Sequence, residues 1–145
     1  MTTPEDLADT VLRTVARLNR WASMHAPWEL PSAQIRLLAL IEELEPARIT
    51  DLAEADHTSQ PGISAQVNRL ESAGLVSRSA GTADARVHRV ATTPEGRDLL
   101  RRVRSARAEM LAPAFARLDA DDLAAIRRAQ ELLAALIDQP PAGSA

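Results

Sequence analysis

The stretch from Ile49 to Arg97, ITDLAEADHTSQPGISAQVNRLESAGLVSRSAGTADARVHRVATTPEGR, constrains this chain more than any other. Thr50 reads as the N-cap of a short helix, Asp51–Asp56, and His57-Thr58 as a turn. Ser59 caps a second helix with Pro61 in its first turn, where a missing N–H costs nothing. Ile63, Val67 and Leu70 give that helix one apolar face, and Gly74 is its left-handed stop. Leu75–Ser79 and Val87–Thr92 then read as two strands joined by the polar loop Ala80–Arg86. A short helix, a turn, a second helix and a hairpin with a basic tip is the order of a helix-turn-helix followed by a wing, an arrangement that grips duplex DNA.

The flanks are helical. Leu7, Val11, Val15, Leu18 and Ala22 recur at helical spacing over Pro4–Met24, until Ala26-Pro27 ends the pattern. Ser32–Leu44 repeats it with Ile35, Leu38, Ile41 and Leu44 expected to face inward, and Pro46 closes it. After the hairpin, Thr93-Pro94 opens a long helix to about Leu111, carrying Leu99, Leu100, Val103, Ala106 and Met110, and Pro113 interrupts it. Asp119 caps a final helix with Leu123, Ile126, Leu133, Leu136 and Ile137. Residues 139–145 read as a disordered tail or linker. The expected class is mainly α with a small β wing, a winged helix-turn-helix with N- and C-terminal dimerisation helices. Residues 31–97 form the DNA-binding region, and 1–30 and 98–138 the helical dimerisation region. The terminal stripes are wider than so small a domain buries alone, so a partner chain is expected.

Composition narrows the chemistry. Aromatic residues make up only 2% of the 145 residues against 46% hydrophobic, so the core is built from aliphatic side chains. There is no cysteine, which removes disulfides, thiolate metal sites and thiol redox sensing. No apolar run suits a membrane span and the N-terminus lacks signal-peptide order, so a cytoplasmic location without membrane contact is expected. All 17 basic residues are arginine, and the net charge is −3. Yet residues 60–97 hold five Arg (69, 78, 86, 89, 97) against three acids (Glu71, Asp84, Glu95), a local excess of +2. A modestly basic face on an acidic body binds phosphate locally without coating DNA indiscriminately.

Gln34 within LPSAQIRLLALI, ITDLAEA, SQPGISAQVNRLESAGLV, the Asp84-Ala-Arg86 wing and TTPEGRDLL together resemble the multiple-antibiotic-resistance regulator (MarR) family of winged-helix repressors. The resemblance runs from about Leu7 to Leu136. It implies a homodimer whose first helix and last two helices interleave with the partner's. It also implies recognition helices in major grooves and wing tips in adjacent minor grooves of a palindromic operator in double-stranded DNA. Small aromatic or phenolic effectors are implied in a cleft between the dimer helices and the winged lobe.

On the second helix of the motif, Ser59, Gln60, Ser64, Ala65 and Asn68 project outward if Ile63, Val67 and Leu70 face the core. Asn and Gln pair bidentately with adenine, and Ser reads several bases. Relatives often carry a basic residue where Ala65 stands. Arg69 reads as a phosphate contact, or as an ion pair with Glu71 or Asp51. Arg86 suits a narrow minor groove, where negative potential is focused, and Asp84 would fix its direction. Arg89 reads equally as a phosphate contact and as an ion pair on the strand face. The cluster Arg97, Arg101, Arg102, Arg104 and Arg107 reads as a solvated face, or as pairing with acids across a dimer.

Trp21, Met24, His25 and Trp28 bunch at the end of the first helix beside Arg36. Aromatic walls with one cation suit an aromatic carboxylate, and hinge packing by the tryptophans is the other reading. The three histidines (25, 57 and 88) are scattered, so no metal or other cofactor is expected. No nucleophile, phosphate-binding loop or catalytic constellation points to an enzyme. The expectation is a homodimeric, sequence-specific regulator of transcription, a repressor released by a small aromatic ligand. The alternative is a winged-helix protein–protein adaptor that does not bind DNA.

Overall fold

The computed structural model describes residues 3–24, 30–80 and 88–138. They form six helices and one hairpin: α1 (Pro4–Met24), α2 (Ser32–Leu44), α3 (Ile49–Ala55), α4 (Gln60–Ser72), β1 (Val76–Ala80), β2 (His88–Thr92), α5 (Pro94–Phe115) and α6 (Ala120–Ile137). None of these helices is long and apolar enough to cross a membrane. The chain divides into two compact units, residues 1–107 and 108–145. The expected disordered tail, 139–145, lies outside the described residues.

The core belongs to the first unit. Ile35, Leu37, Leu38 and Ile41 of α2 meet Leu52 of α3, Ile63, Val67 and Leu70 of α4, Val76 and Val90 of the hairpin, and Leu100 and Val103 of α5. Leu44, expected inside, is 40% exposed, while Leu37 is 1% exposed. The reason is that α2 is enclosed on a broad face: Leu37, Leu38 and Ile41 all lie inside, and Leu44 sits in the last turn beyond that cover.

Local chemistry sets the boundaries. Ser59 Oγ accepts from Gly62 N–H at 3.2 Å, and Asp119 Oδ1 from Asp122 N–H at 2.8 Å, so both N-caps form as the sequence indicates. The cap of α3 differs. The helix starts at Ile49, and the Arg48 N–H donates to Asp51 Oδ2 at 3.3 Å. Asp51 reaches back from the third position, so Thr50 lies inside the first turn instead of capping it. Pro113 does not interrupt α5, which continues to Phe115. It lies in the last turn, where little helix remains to disturb.

Strands β1 and β2 pair antiparallel, with Val76 opposite Thr92 and Ala80 opposite His88. Ala47, just after α2, bridges Val90 through two backbone hydrogen bonds of 2.8 and 3.0 Å and so adds a one-residue third strand. Gly74 (φ 74°) turns the chain from α4 into β1. The start of α5 then presses on that turn. Thr93 Oγ1 donates to Gly74 O at 2.6 Å, Thr93 N–H to Leu75 O at 3.0 Å, and Gly96 faces the same carbonyl with no side chain between.

Candidate nucleic-acid interface

Helices α3 and α4 flank a turn at His57, which adopts φ 51°, a left-handed conformation that His tolerates better than β-branched residues. Thr58 Oγ1 bonds Asp56 Oδ2 at 2.6 Å and fixes the turn from inside. Ile63, Val67 and Leu70 are fully buried, which orients α4 about its own axis. Gln60, Ala65, Asn68 and Arg69 are consequently exposed and Ser64 half-buried, with Ser59 exposed at the cap. This is the outward face expected from the sequence. Neither proposed ion-pair partner holds Arg69: Glu71 is taken by Arg78, and Asp51 caps α3.

The wing grows from a braced base. Thr92, at 4% exposure, gives Glu45 Oε2 both its N–H and its hydroxyl, each at 2.6 Å, and Arg97 Nη2 reaches Glu45 Oε1 at 2.8 Å. One carboxylate thus ties the end of α2 to β2 and α5. Burial alone would raise the Glu45 pKa, but the Thr92 and Arg97 hydrogen bonds outweigh it and hold the carboxyl below its usual range. The Thr92 bonds matter more, since Arg97 is 45% exposed and its attraction is screened. Arg89 donates to Pro46 O at 3.3 Å and not to an acid of the strand face. The wing-tip residues Asp84 and Arg86 lie outside the described residues.

A folded pKa below the unfolded one means that Glu45 stabilises the protein fully above about pH 5 and progressively less as pH falls through the carboxylate range. Glu45→Gln is expected to cost about 1.5–3 kcal/mol at pH 7, the range for hydrogen bonds to a charged group. It should also flatten the acid limb of stability against pH, as urea unfolding between pH 3 and 7 would show.

Most of the arginine cluster on α5 pairs with acids of its own chain. Arg101 and Arg102 contact Asp98 at 2.5 and 3.3 Å, and Arg104 contacts Glu42 at 2.5 Å. Arg107 differs. Its Nη2 donates to Ser23 Oγ at 3.1 Å, while its buried Nε has no hydrogen-bond partner. It borders a cavity of about 560 Å³ between α1, α2 and α5, together with Arg20, Met24, Arg36 and Arg104 over an apolar floor of Ile35, Leu100 and Val103. Arg36 reaches Asp56 at only 3.4 Å. Of the expected ligand residues, Met24 and Arg36 meet at this cavity. Trp21 instead lines an adjoining hollow on α1 with Leu18, and Arg20 and Met24 border both. His25 and Trp28 lie outside the described residues. Among the described residues no His, Asp or Glu cluster suited to a metal occurs.

Sequence reasoning passed over Glu45, Arg78 and the cavity's Arg104 and Arg107. For Arg78 a signal existed: strand alternation puts it on the same face as buried Val76, where a cation needs partners.

The MarR family model matches residues 30–88, from just before α2 to the start of β2. No curated protein matches the chain by sequence. Among solved structures, Rv1404 from Mycobacterium tuberculosis is 23% identical, with a TM-score of 0.78 over 98% of this chain and 99% of that one. A protein from Pseudomonas aeruginosa PA01, described as a candidate transcriptional regulator, is 29% identical, with a TM-score of 0.76 over 95% of this chain and 99% of that one. A variant of S. aureus MepR bound to an oligodeoxyribonucleotide is 17% identical, with a TM-score of 0.62 over 89% of this chain and 97% of that one. MepR has also been solved with ethidium bromide.

Proposed function

We propose that the chain is a DNA-binding transcription regulator of the MarR family that acts as a homodimeric repressor released by a small aromatic anion. It is a regulator and not an enzyme. The observation that carries the DNA-binding geometry is the exposed polar face of α4, oriented by three buried aliphatic residues and flanked by a braced hairpin. Ser59, Gln60, Ser64, Ala65 and Asn68 would meet base edges in the major groove. Arg69 and Arg89 would contact phosphates. Arg86, directed by Asp84, would enter the minor groove.

Dimerisation is supported by apolar residues left in water. Leu7, Val15, Leu18 and Trp21 of α1 are 41–58% exposed, and Leu123, Ile126, Leu133 and Ile137 of α6 are 37–79% exposed. A two-fold partner would cover these stripes and present two recognition helices to a palindrome with half-sites about one helical turn apart. On this reading 1–30 and 98–138 serve assembly, and 31–97 serve DNA.

The effector reading rests on the cavity beside Arg107. A guanidinium with an unused buried donor, with Arg20 and Arg36 nearby and an apolar floor, suits a carboxylate on a small ring. Trp21 and Trp28 are the only tryptophans and there is no tyrosine, so intrinsic fluorescence reports on this end of α1 without background. Titration with salicylate-like compounds is expected to quench it saturably and to release DNA over the same concentration range. Quenching without release would uncouple the cavity from the DNA site.

Selection of bound sequences from random duplexes tests the function as a whole. A palindrome, with affinity falling steeply as salt rises, is expected. No enrichment and no salt dependence would favour the adaptor instead. On the selected operator, Arg86→Ala is expected to weaken binding by about 1–3 kcal/mol without changing the melting temperature. Equal affinity for both proteins would remove the wing tip from the interface.

A further inference from the structure

The recognition helix and the wing are joined by one side chain. Arg78 of β1 hydrogen-bonds through Nη2 to Asn68 Oδ1 of α4, and its Nε lies 3.2 Å from Glu71 Oε2 of the same helix. The Arg78 side chain is only 24% exposed, so the contact is sheltered, and its Nε makes no hydrogen bond in addition to the ion pair. A guanidinium has five donors and no acceptor, so only the oxygen of the Asn68 amide can face it. The amide is planar, with oxygen and nitrogen on opposite sides of Cγ. With its oxygen turned to Arg78, Asn68 offers its NH2 group to whatever approaches the exposed face of α4.

That orientation alters what Asn68 can read. A bidentate pair with adenine needs the amide oxygen on the N6 amino group and the amide nitrogen on N7. Arg78 engages that oxygen from the wing side. What remains is a donor. Guanine (N7 and O6) and thymine (O4) match it; adenine offers N7 alone, beside an N6 amino group that the engaged oxygen no longer pairs, and cytosine offers no acceptor. We propose that Arg78 is a specificity-positioning residue that turns the Asn68 amide nitrogen toward the DNA, removing the bidentate preference for adenine and favouring guanine or thymine at one position of each half-site. This rests on the DNA-binding reading above. Glu71 completes the device by holding Arg78 from the same helix, so that a shift of the wing relative to α4 would change base preference at that position.

The test is sequence selection from random duplexes with four proteins: wild type, Asn68→Ala, Asn68→Asp and Arg78→Met. Asn68→Ala identifies the position by losing discrimination there. At that position wild type is expected to prefer G or T over C by about 5- to 150-fold, the discrimination expected of a good side-chain–base contact, with A bound less well than G. Arg78→Met frees the amide to turn, so adenine becomes the favoured base there while preferences elsewhere persist. Asn68→Asp keeps Arg78 engaged but presents only an acceptor, so preference inverts toward C or A. Asn68 is exposed, so its two variants carry the test even if Arg78→Met fails to fold. Wild-type preference for adenine at that position would overturn the proposal. So would an Arg78→Met variant that binds all sequences more weakly by the same factor with a shallower salt dependence, because Arg78 would then be a phosphate contact. If wild type enriches no sequence, the DNA-binding reading itself fails, an outcome distinct from both.

Discussion

Gly96→Ala is expected to cost the winged unit a large part of its stability. A Cβ at this position would stand 2.1 Å from Leu75 O and 3.1 Å from Leu75 C, with Leu38 Cδ1 at 3.4 Å. The first two obstacles are backbone, so no side-chain rotation relieves them. Leu75 O is also the acceptor of the Thr93 N–H at 3.0 Å, and Thr93 Oγ1 holds Gly74 O at 2.6 Å. For the methyl group to fit, the first turn of α5 must retreat by roughly 1 Å, past the end of both hydrogen bonds and away from the buried Leu38. Overpacking of a close-packed site costs about 1–3 kcal/mol, and each weakened buried hydrogen bond adds to it. A loss of about 3 kcal/mol or more is therefore expected, against a total stability of about 5–15 kcal/mol. In melting temperature that is a fall of roughly 10 °C. Glu95→Ala, one residue away and exposed, should stay within about 0.5 kcal/mol of wild type. A Gly96→Ala protein that melts with wild type would mean that α5 and the Gly74–Leu75 turn do not touch in solution.

The same glycine shows what the sequence made legible. TPEG could be recognised as part of a family pattern, but the carbonyl that explains its glycine arrives from 21 residues earlier, through a contact that only folding creates. The helix-turn-helix was readable because its signals are local: Ser59 bonds a neighbour three residues on, and the Ile63, Val67, Leu70 spacing is a single helical face. The N-cap of α3 falls at Arg48 and not at Thr50, because the Asp51 carboxylate turns back from the third position, and only the backbone path decides that. Glu45 and Arg78 were missed for the same reason as Gly96. Their partners, Thr92 and Asn68, lie 47 and 10 residues away in sequence; one exposed-looking Glu among many carries no mark of this, and for Arg78 the alternation with Val76 marks the face but not the partner. At the cavity, Arg107 resembles its neighbours Arg101, Arg102 and Arg104 in sequence. It is distinguished only by ending beside Ser23 instead of a carboxylate.

Replacing Ile126 and Leu133 together with glutamate is expected to separate the dimer and with it to abolish high-affinity operator binding. The two side chains are 41% and 37% exposed, share the Leu123–Ile137 stripe of α6, and lie outside the core formed by residues 35–103. Burying each in a partner contributes about 1.5–3 kcal/mol per chain, and a symmetric interface counts each twice. Two buried carboxylates per chain, facing their symmetry mates, would instead cost several kcal/mol. The winged unit has its own aliphatic core, so helicity by circular dichroism should fall little. Light scattering at micromolar concentration should give the mass of one chain. The effect on DNA follows from linkage. A dimer binds its second half-site at the high effective concentration set by the first, and losing that connection costs about 10²- to 10⁴-fold in affinity without altering any DNA contact. A monomer should therefore retain the base preferences of one half-site while binding the full palindrome scarcely better than a single half. If the doubly substituted chain remains a dimer, the assembly surface lies elsewhere. If it becomes a monomer that still binds the palindrome with full affinity, the two recognition helices do not act together, and the reading of the operator as a two-fold site is wrong.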